Sequence, residues 1–158
     1  MNRIQVMVYS LHAKQRLPIN LETAWEFLTD PHNLGKITPP EMGFKIVSGA
    51  ERSLYPGQLI EYKVRPLPGF TTRWISEITQ VRHMDYFVDE QREGPYAMWH
   101  HTHFLKEVDG GVEIEDLIRY KVPFGFIGRL LHPLLVRPKL EKIFAYRQTE
   151  MTNRFGKL

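Results

Sequence analysis

The residues able to do chemistry in this chain gather in a few short strings. One is Trp99-x-His101-x-His103. In an extended segment alternate side chains share a face, so Ala97, Trp99, His101 and His103 point together, and Met98, His100 and Thr102 point the other way. A second string places Ile114, Asp116, Ile118 and Tyr120 on one face, against Glu113, Glu115, Arg119 and Lys121, which belong in water. Asp116 is thereby directed inward among apolar neighbours. In a third, Phe87, Asp89 and Gln91 alternate in the same way. His, Tyr and Asp on one wall are groups that polarise a carbonyl or abstract a proton. In that chemistry His101 or His103 would be the base and Tyr120 would stabilise developing oxyanion charge, with Asp116 as a further candidate. The same groups in an apolar wall would hold the polar handle of a hydrophobic ligand. They could equally satisfy one another as a buried polar network. Two imidazoles with Asp116 also resemble a carboxylate-and-histidine metal set. Alternating histidines in a strand are a weak signal for one, and the expectation is no metal and no cofactor.

Two further positions join these. Phe144 and Arg147 fall on the apolar face of a C-terminal helix with Leu140, Ile143, Met151 and Phe155. A guanidinium on such a face needs a carboxylate, with Asp89 and Asp116 as candidates. It reads as a clamp of helix to sheet, the alternative being a handle for a ligand carboxylate. Tyr62 and Val64 are drawn inward because their strand alternates with Glu61, Lys63 and Arg65.

These residues must be positioned by the elements around them. Ile4 to Ile19 alternates as a strand. Asn20 is a helix N-cap, with Leu21, Ala24, Trp25 and Leu28 at helical spacing. Asp30-Pro31 ends that helix, and a second short helix covers His32 to Ile37. From Phe44 to Val122 strands alternate with turns at Pro56-Gly57, Pro66 to Gly69, His83 to Asp85, Gly94-Pro95 and Asp109-Gly110-Gly111. A long helix follows, with Pro138 in its first turn and Gly156 at its stop. Phe126 to Leu135 is expected as a separate or kinked piece, because Pro133 and Pro138 interrupt a helical ladder. Strands followed by a helix predict an α+β fold: a curved seven-stranded antiparallel sheet, two short helices, and a long terminal helix that can plug the concave side.

Composition narrows the classes. The 158 residues fit one domain, 1–158. A net charge of +3 with scattered Lys and Arg gives no nucleic-acid patch. There is no cysteine, hence no thiol nucleophile or zinc-thiolate site. No signal-like start and no run long enough for a membrane span are visible, so the expectation is a cytoplasmic protein without stable membrane insertion. There is no G-x-S-x-G elbow, Walker A loop or dinucleotide fingerprint. Phe124-Gly125-Phe126-Ile127-Gly128 could gate a cavity or make transient contact with a membrane or partner.

The order of elements resembles the START-like superfamily, also called SRPBCC or helix-grip. Several strings are similar to its bacterial ligand-binding branch: Asp30-Pro31-His32-Asn33-Leu34 with Ile37-Thr38-Pro39, Phe87-x-Asp89-x-Gln91, Gly94-Pro95-Tyr96 with Trp99-x-His101-x-His103-Phe104, Asp116-x-Ile118-x-Tyr120-x-x-Pro123, and Phe144-x-Tyr146-Arg147. The resemblance covers essentially the whole chain. It implies an internal cavity for a hydrophobic small molecule such as a lipid, quinone, polyketide or aromatic metabolite. The alternative is a cyclase-, dehydratase- or isomerase-like enzyme using His and Tyr in the same cavity. A third reading, a protein-interaction module, requires a filled core and a sizeable exposed apolar patch.

Overall fold

The computed structural model describes residues 7–51 and 53–158. Seven antiparallel strands form one sheet in the order β1-β7-β6-β5-β4-β3-β2. They are β1 (Tyr9–Leu17), β2 (Lys45–Ser48), β3 (Leu59–Leu67), β4 (Phe70–Arg82), β5 (Tyr86–Glu93), β6 (Met98–Val108) and β7 (Gly111–Lys121). The first strand is shorter than the alternation from Ile4 to Ile19 suggests, and Ile4 and Val6 lie outside the described residues. Strand β3 runs three residues past Val64 and carries Pro66 within it. The pairing with β4 shifts between Val64 and Leu67. A proline that cannot donate to the ladder is accommodated at such an irregularity.

Helix α1 (Leu21–Thr29) starts at Asn20, whose side chain accepts from the Thr23 N–H at 2.7 Å. A 3-10 segment, Pro31–Ile37, follows, and Asp30 caps it by accepting from the His32 N–H at 3.0 Å. Trp25, Ala24 and Ile37 are buried from this side against Leu17, Phe87, Leu105, Val112 and Met151. That cluster seals one end of the fold.

In the C-terminal region the α ladder is interrupted at Pro133, as expected, but the pieces do not separate. Gly125–Leu131 (α2), His132–Val136 and Arg137–Phe155 (α3) follow one another without a break, the middle five residues forming a π-helical turn. Pro133 and Pro138 therefore do not separate two helices. A wider turn moves the backbone carbonyls out of register with the proline rings, which is how a helix absorbs a missing N–H without ending. Gly128 is required at the start of this helix, where an added Cβ would meet the Pro123 carbonyl oxygen at 1.8 Å. Helix α3 is tied to β1 by Gln15, which donates to the Gln148 carbonyl at 2.7 Å and to Thr152 Oγ1 at 2.8 Å.

Candidate functional site

Strand register brings the site together. Asp89 is directly opposite His101, and Phe87 opposite His103, across β5 and β6. His103 is opposite Asp116, and His101 opposite Ile118, across β6 and β7. The polar bonds run diagonally over this lattice, within reach of long side chains. His101 Nε2 lies 2.8 Å from Asp116 Oδ1, and His103 Nε2 lies 2.7 Å from Asp89 Oδ2. His101 Nδ1 is 3.6 Å from Asp89 Oδ2, and His103 Nδ1 is 3.2 Å from Asp116 Oδ1, outside hydrogen-bond geometry. From α3, Arg147 Nη2 reaches Asp116 Oδ1 at 3.3 Å. Phe87 stacks on His103 with ring centroids 4.1 Å apart, and His101 lies 3.6 Å from His103 with its ring tilted by 31°.

The protons follow from the partners. Burial works to raise both carboxyls, but Asp89 is held below the usual carboxylate range by the His103 bond and the nearby cations. Asp116 is held well below it by the Arg147 charge and the two imidazoles. His103 is raised despite burial, because both its ring nitrogens face carboxylates. His101 is lowered by burial and by the charge on His103. Of the two imidazoles His103 is thus the one favoured to carry charge beside the guanidinium and two carboxylates, and His101 the one favoured to stay neutral. A carboxylate can only accept, so His101 Nε2 carries the hydrogen toward Asp116 and Nδ1 keeps a lone pair.

This cluster forms one end of a cavity of about 220 Å³ beneath α3. Its wall is mostly apolar: Ile60, Tyr62, Val64, Trp74, Ile78, Phe87 and Trp99 from the sheet, Phe27, Leu28, Leu34 and Ile37 from the short helices, and Leu140, Ile143 and Phe144 from α3. Trp74 and Trp99 meet edge to face with centroids 5.3 Å apart, and Trp74 Nε1 donates to Ser76 Oγ at 3.1 Å. The wall's indole donor from Trp74 is therefore already satisfied. Burial also pushes the Tyr62 and Tyr96 hydroxyls well above the usual range, keeping both neutral.

Of the residues singled out from sequence, Tyr62, Val64, Asp89, Trp99, His101, His103, Phe144 and Arg147 lie in the cavity wall. Four stand elsewhere. Gln91 turns to the loop at Tyr96, donating to its carbonyl at 2.7 Å and accepting from its N–H at 3.1 Å. Asp116 sits behind the histidines, and Ile118 is wholly buried against Leu11, Leu140 and Phe144. The Tyr120 hydroxyl is 2.7 Å from His132 Nε2, on the far side of Trp99 from the histidine pair. Tyr120 is thus spent on a helix contact, and the pairing of a His base with a Tyr120 oxyanion donor is not assembled. Asp116, Ile118 and Tyr120 are buried, as the period of two predicts; what that period does not convey is which stretch of the inner face α3 covers.

The sequence reading places Trp74 and the phenylalanines in the core or cavity wall, but not the roof residues Leu28, Leu34 and Ile37, nor Ser76 and His132. The signal for His132 was present. Gly128, His132, Val136, Leu140 and Phe144 recur every fourth residue, the spacing of one packed helical stripe. Asp89, His101 and His103 could together offer three ligand atoms to a metal, all within 4.8 Å of one another. Among these three residues the one hydrogen bond is His103 Nε2 to Asp89 Oδ2, at 2.7 Å.

A curved antiparallel sheet gripped by a long C-terminal helix defines the helix-grip class of fold. No family model and no curated protein matches the chain. Solved structures do match across nearly its full length. Ms6760 from Mycobacterium smegmatis covers 98% of this chain and 96% of its own, at TM-score 0.65 and 16% identity. CV1439 from Chromobacterium violaceum covers 95% and 99%, at TM-score 0.69 and 14% identity. The major latex-like protein 151 of Panax ginseng covers 94% and 97%, at TM-score 0.68 and 13% identity. At these identities the likeness establishes the fold alone.

Proposed function

We propose that the protein is a single cytoplasmic domain that binds a hydrophobic small molecule carrying one hydroxyl or N–H group. The observation that carries this reading is the group Asp89, His101, His103 and Arg147 in a mostly apolar cavity wall. Two acceptors, His101 Nδ1 and Asp89 Oδ2, stand 3.6 Å apart there. A ligand hydroxyl or N–H placed there would donate its hydrogen to one of the two, while the ligand body lies along Trp99, Tyr62, Val64 and Phe144. Apolar burial would supply the affinity, at about 25 cal/mol per Å² before ordering costs. The acceptor pair would supply orientation and rejection of analogues lacking the donor.

Native mass spectrometry of protein purified from its own host tests the reading. A co-purifying small molecule, lost on His101→Phe or Val64→Phe substitution, is the expected result. Protein that carries no ligand and takes up no apolar fluorescent probe, with Trp74 and Trp99 emission unchanged on titration, would overturn it.

A further inference from the structure

The C-terminal helix touches the body of the protein along a narrow line. Between Gly125 and Val136 the buried residues are Gly128 and His132, and the next are Leu140 and Phe144. The large apolar side chains around that line face water. Phe124 is 81% exposed, Phe126 71% and Leu134 71%, with Ile127, Leu130 and Leu135 beside them. A helix that serves its own core buries its apolar residues and shows polar ones; this stretch does the reverse. An exposed apolar cluster of this density marks an interaction surface. Phe124 is also held at φ +64°, a left-handed conformation costly for a bulky side chain, with its ring directed outward.

Charge identifies the occupant. Residues 119–142 contain six Lys and Arg against Glu141, with Lys142 paired to Glu41 at 3.0 Å, whereas the whole chain is only +3, so the remainder is net negative. Arg129 makes no ion pair among the described residues, and Arg137 shares only an exposed 2.8 Å pair with Glu141. A second copy of this chain is a poor fit, since a two-fold contact lays the cationic segment against itself. We propose that the face from Phe124 to Leu135 docks on the surface of an anionic lipid bilayer. The apolar side chains enter the interface, and Arg129 and Arg137 meet the headgroups. The helix lies on the bilayer: no helix among the described residues is long and apolar enough to cross it. Lys139 and Leu140 of the cavity wall follow Leu135 by about one helical turn, roughly 7 Å. Docking therefore brings the helix edge of the cavity close to the membrane, although it does not depend on what the cavity holds.

Flotation of the intact protein with vesicles tests this. Mixed phosphatidylglycerol and phosphatidylcholine vesicles are compared with phosphatidylcholine alone, at low and high salt. The protein is expected to float with the anionic vesicles, to be released by salt, and to ignore phosphatidylcholine. Phe126→Ser and Leu134→Ser should each weaken partition about tenfold or more, and Arg129→Gln about fivefold. Melting temperatures of all three should hold, because the side chains are exposed. Failure to float with anionic vesicles overturns the proposal, as does equal binding to phosphatidylcholine alone. A concentration-dependent dimer in sedimentation that Phe126→Ser dissociates also overturns it, in favour of a second copy.

Discussion

Arg147 Nη2 stands 3.3 Å from Asp116 Oδ1, and through this buried ion pair the C-terminal helix is fastened to the sheet. Removing one partner leaves the other charge buried without compensation. Arg147→Ala is expected to destabilise the protein by about 3–5 kcal/mol. Urea unfolding measures it, and a midpoint equal to that of the wild type would show that the pair holds nothing.

Stability should depend on pH in a direction set by the four titratable groups. Asp89 and Asp116 are depressed below their ordinary 3.8, so their contribution is present above that value and lost as pH falls through the folded pKa. His101 is depressed below 6.5, so it too costs stability as acid is added, from the point where the unfolded ring begins to charge. His103 is raised above 6.5: its contribution is complete below 6.5 and disappears as pH rises through the folded pKa. Unfolding free energy measured against pH should therefore fall on both sides, and His103→Gln should flatten the alkaline limb. An alkaline limb identical in both proteins would exclude the imidazolium.

Val64 lines the cavity from β3, and enlarging it occupies the space a ligand would use. Val64→Phe should reduce uptake of an apolar fluorescent probe at least tenfold while leaving the melting temperature within a few degrees of wild type, since the added ring enters a void instead of a packed core. Undiminished uptake would place the binding volume elsewhere.

Tyr120 Oη and His132 Nε2 form a buried pair 2.7 Å apart, with His132 also stacked on Tyr9 at 3.5 Å. Tyr120→Phe leaves the imidazole nitrogen unsatisfied and should cost about 1–3 kcal/mol. Because the cavity does not include this pair, ligand or probe uptake should be unchanged. A selective loss of uptake without loss of stability would return Tyr120 to the site.

Gly128→Ala places a methyl group on the Pro123 carbonyl oxygen. The clash is with backbone, which cannot rotate away, so α2 must lift from β7. A loss of about 1–3 kcal/mol is expected, read by thermal unfolding. A neutral substitution would mean that α2 is not seated as described.

Local rules were enough for the sheet and its inward faces. Alternation between charged and apolar residues in β6 and β7 directed His101, His103 and Asp116 inward, and turn chemistry at Asp109-Gly110 set the hairpin that aligns them. The Asn20 cap and the break at Asp30-Pro31 were likewise legible, because each depends on a residue and its immediate neighbours. The interruption at Pro133 was legible in the same way, but that it takes the form of a π turn with the helix continuing was not.

By itself, then, the chain's order of residues determined which side chains leave the water and in which strands. It also supplied the Arg147 that had to meet a carboxylate. Only the folded structure decided that this carboxylate is Asp116 and that Asp89 faces His101 across β5 and β6. It likewise sent Tyr120 to His132 instead of to the cavity. Period and propensity act over a few residues, whereas strand register, sheet curvature and the seating of a helix are settled by packing among segments far apart in sequence. A hollow exists only where that packing falls short of filling the interior.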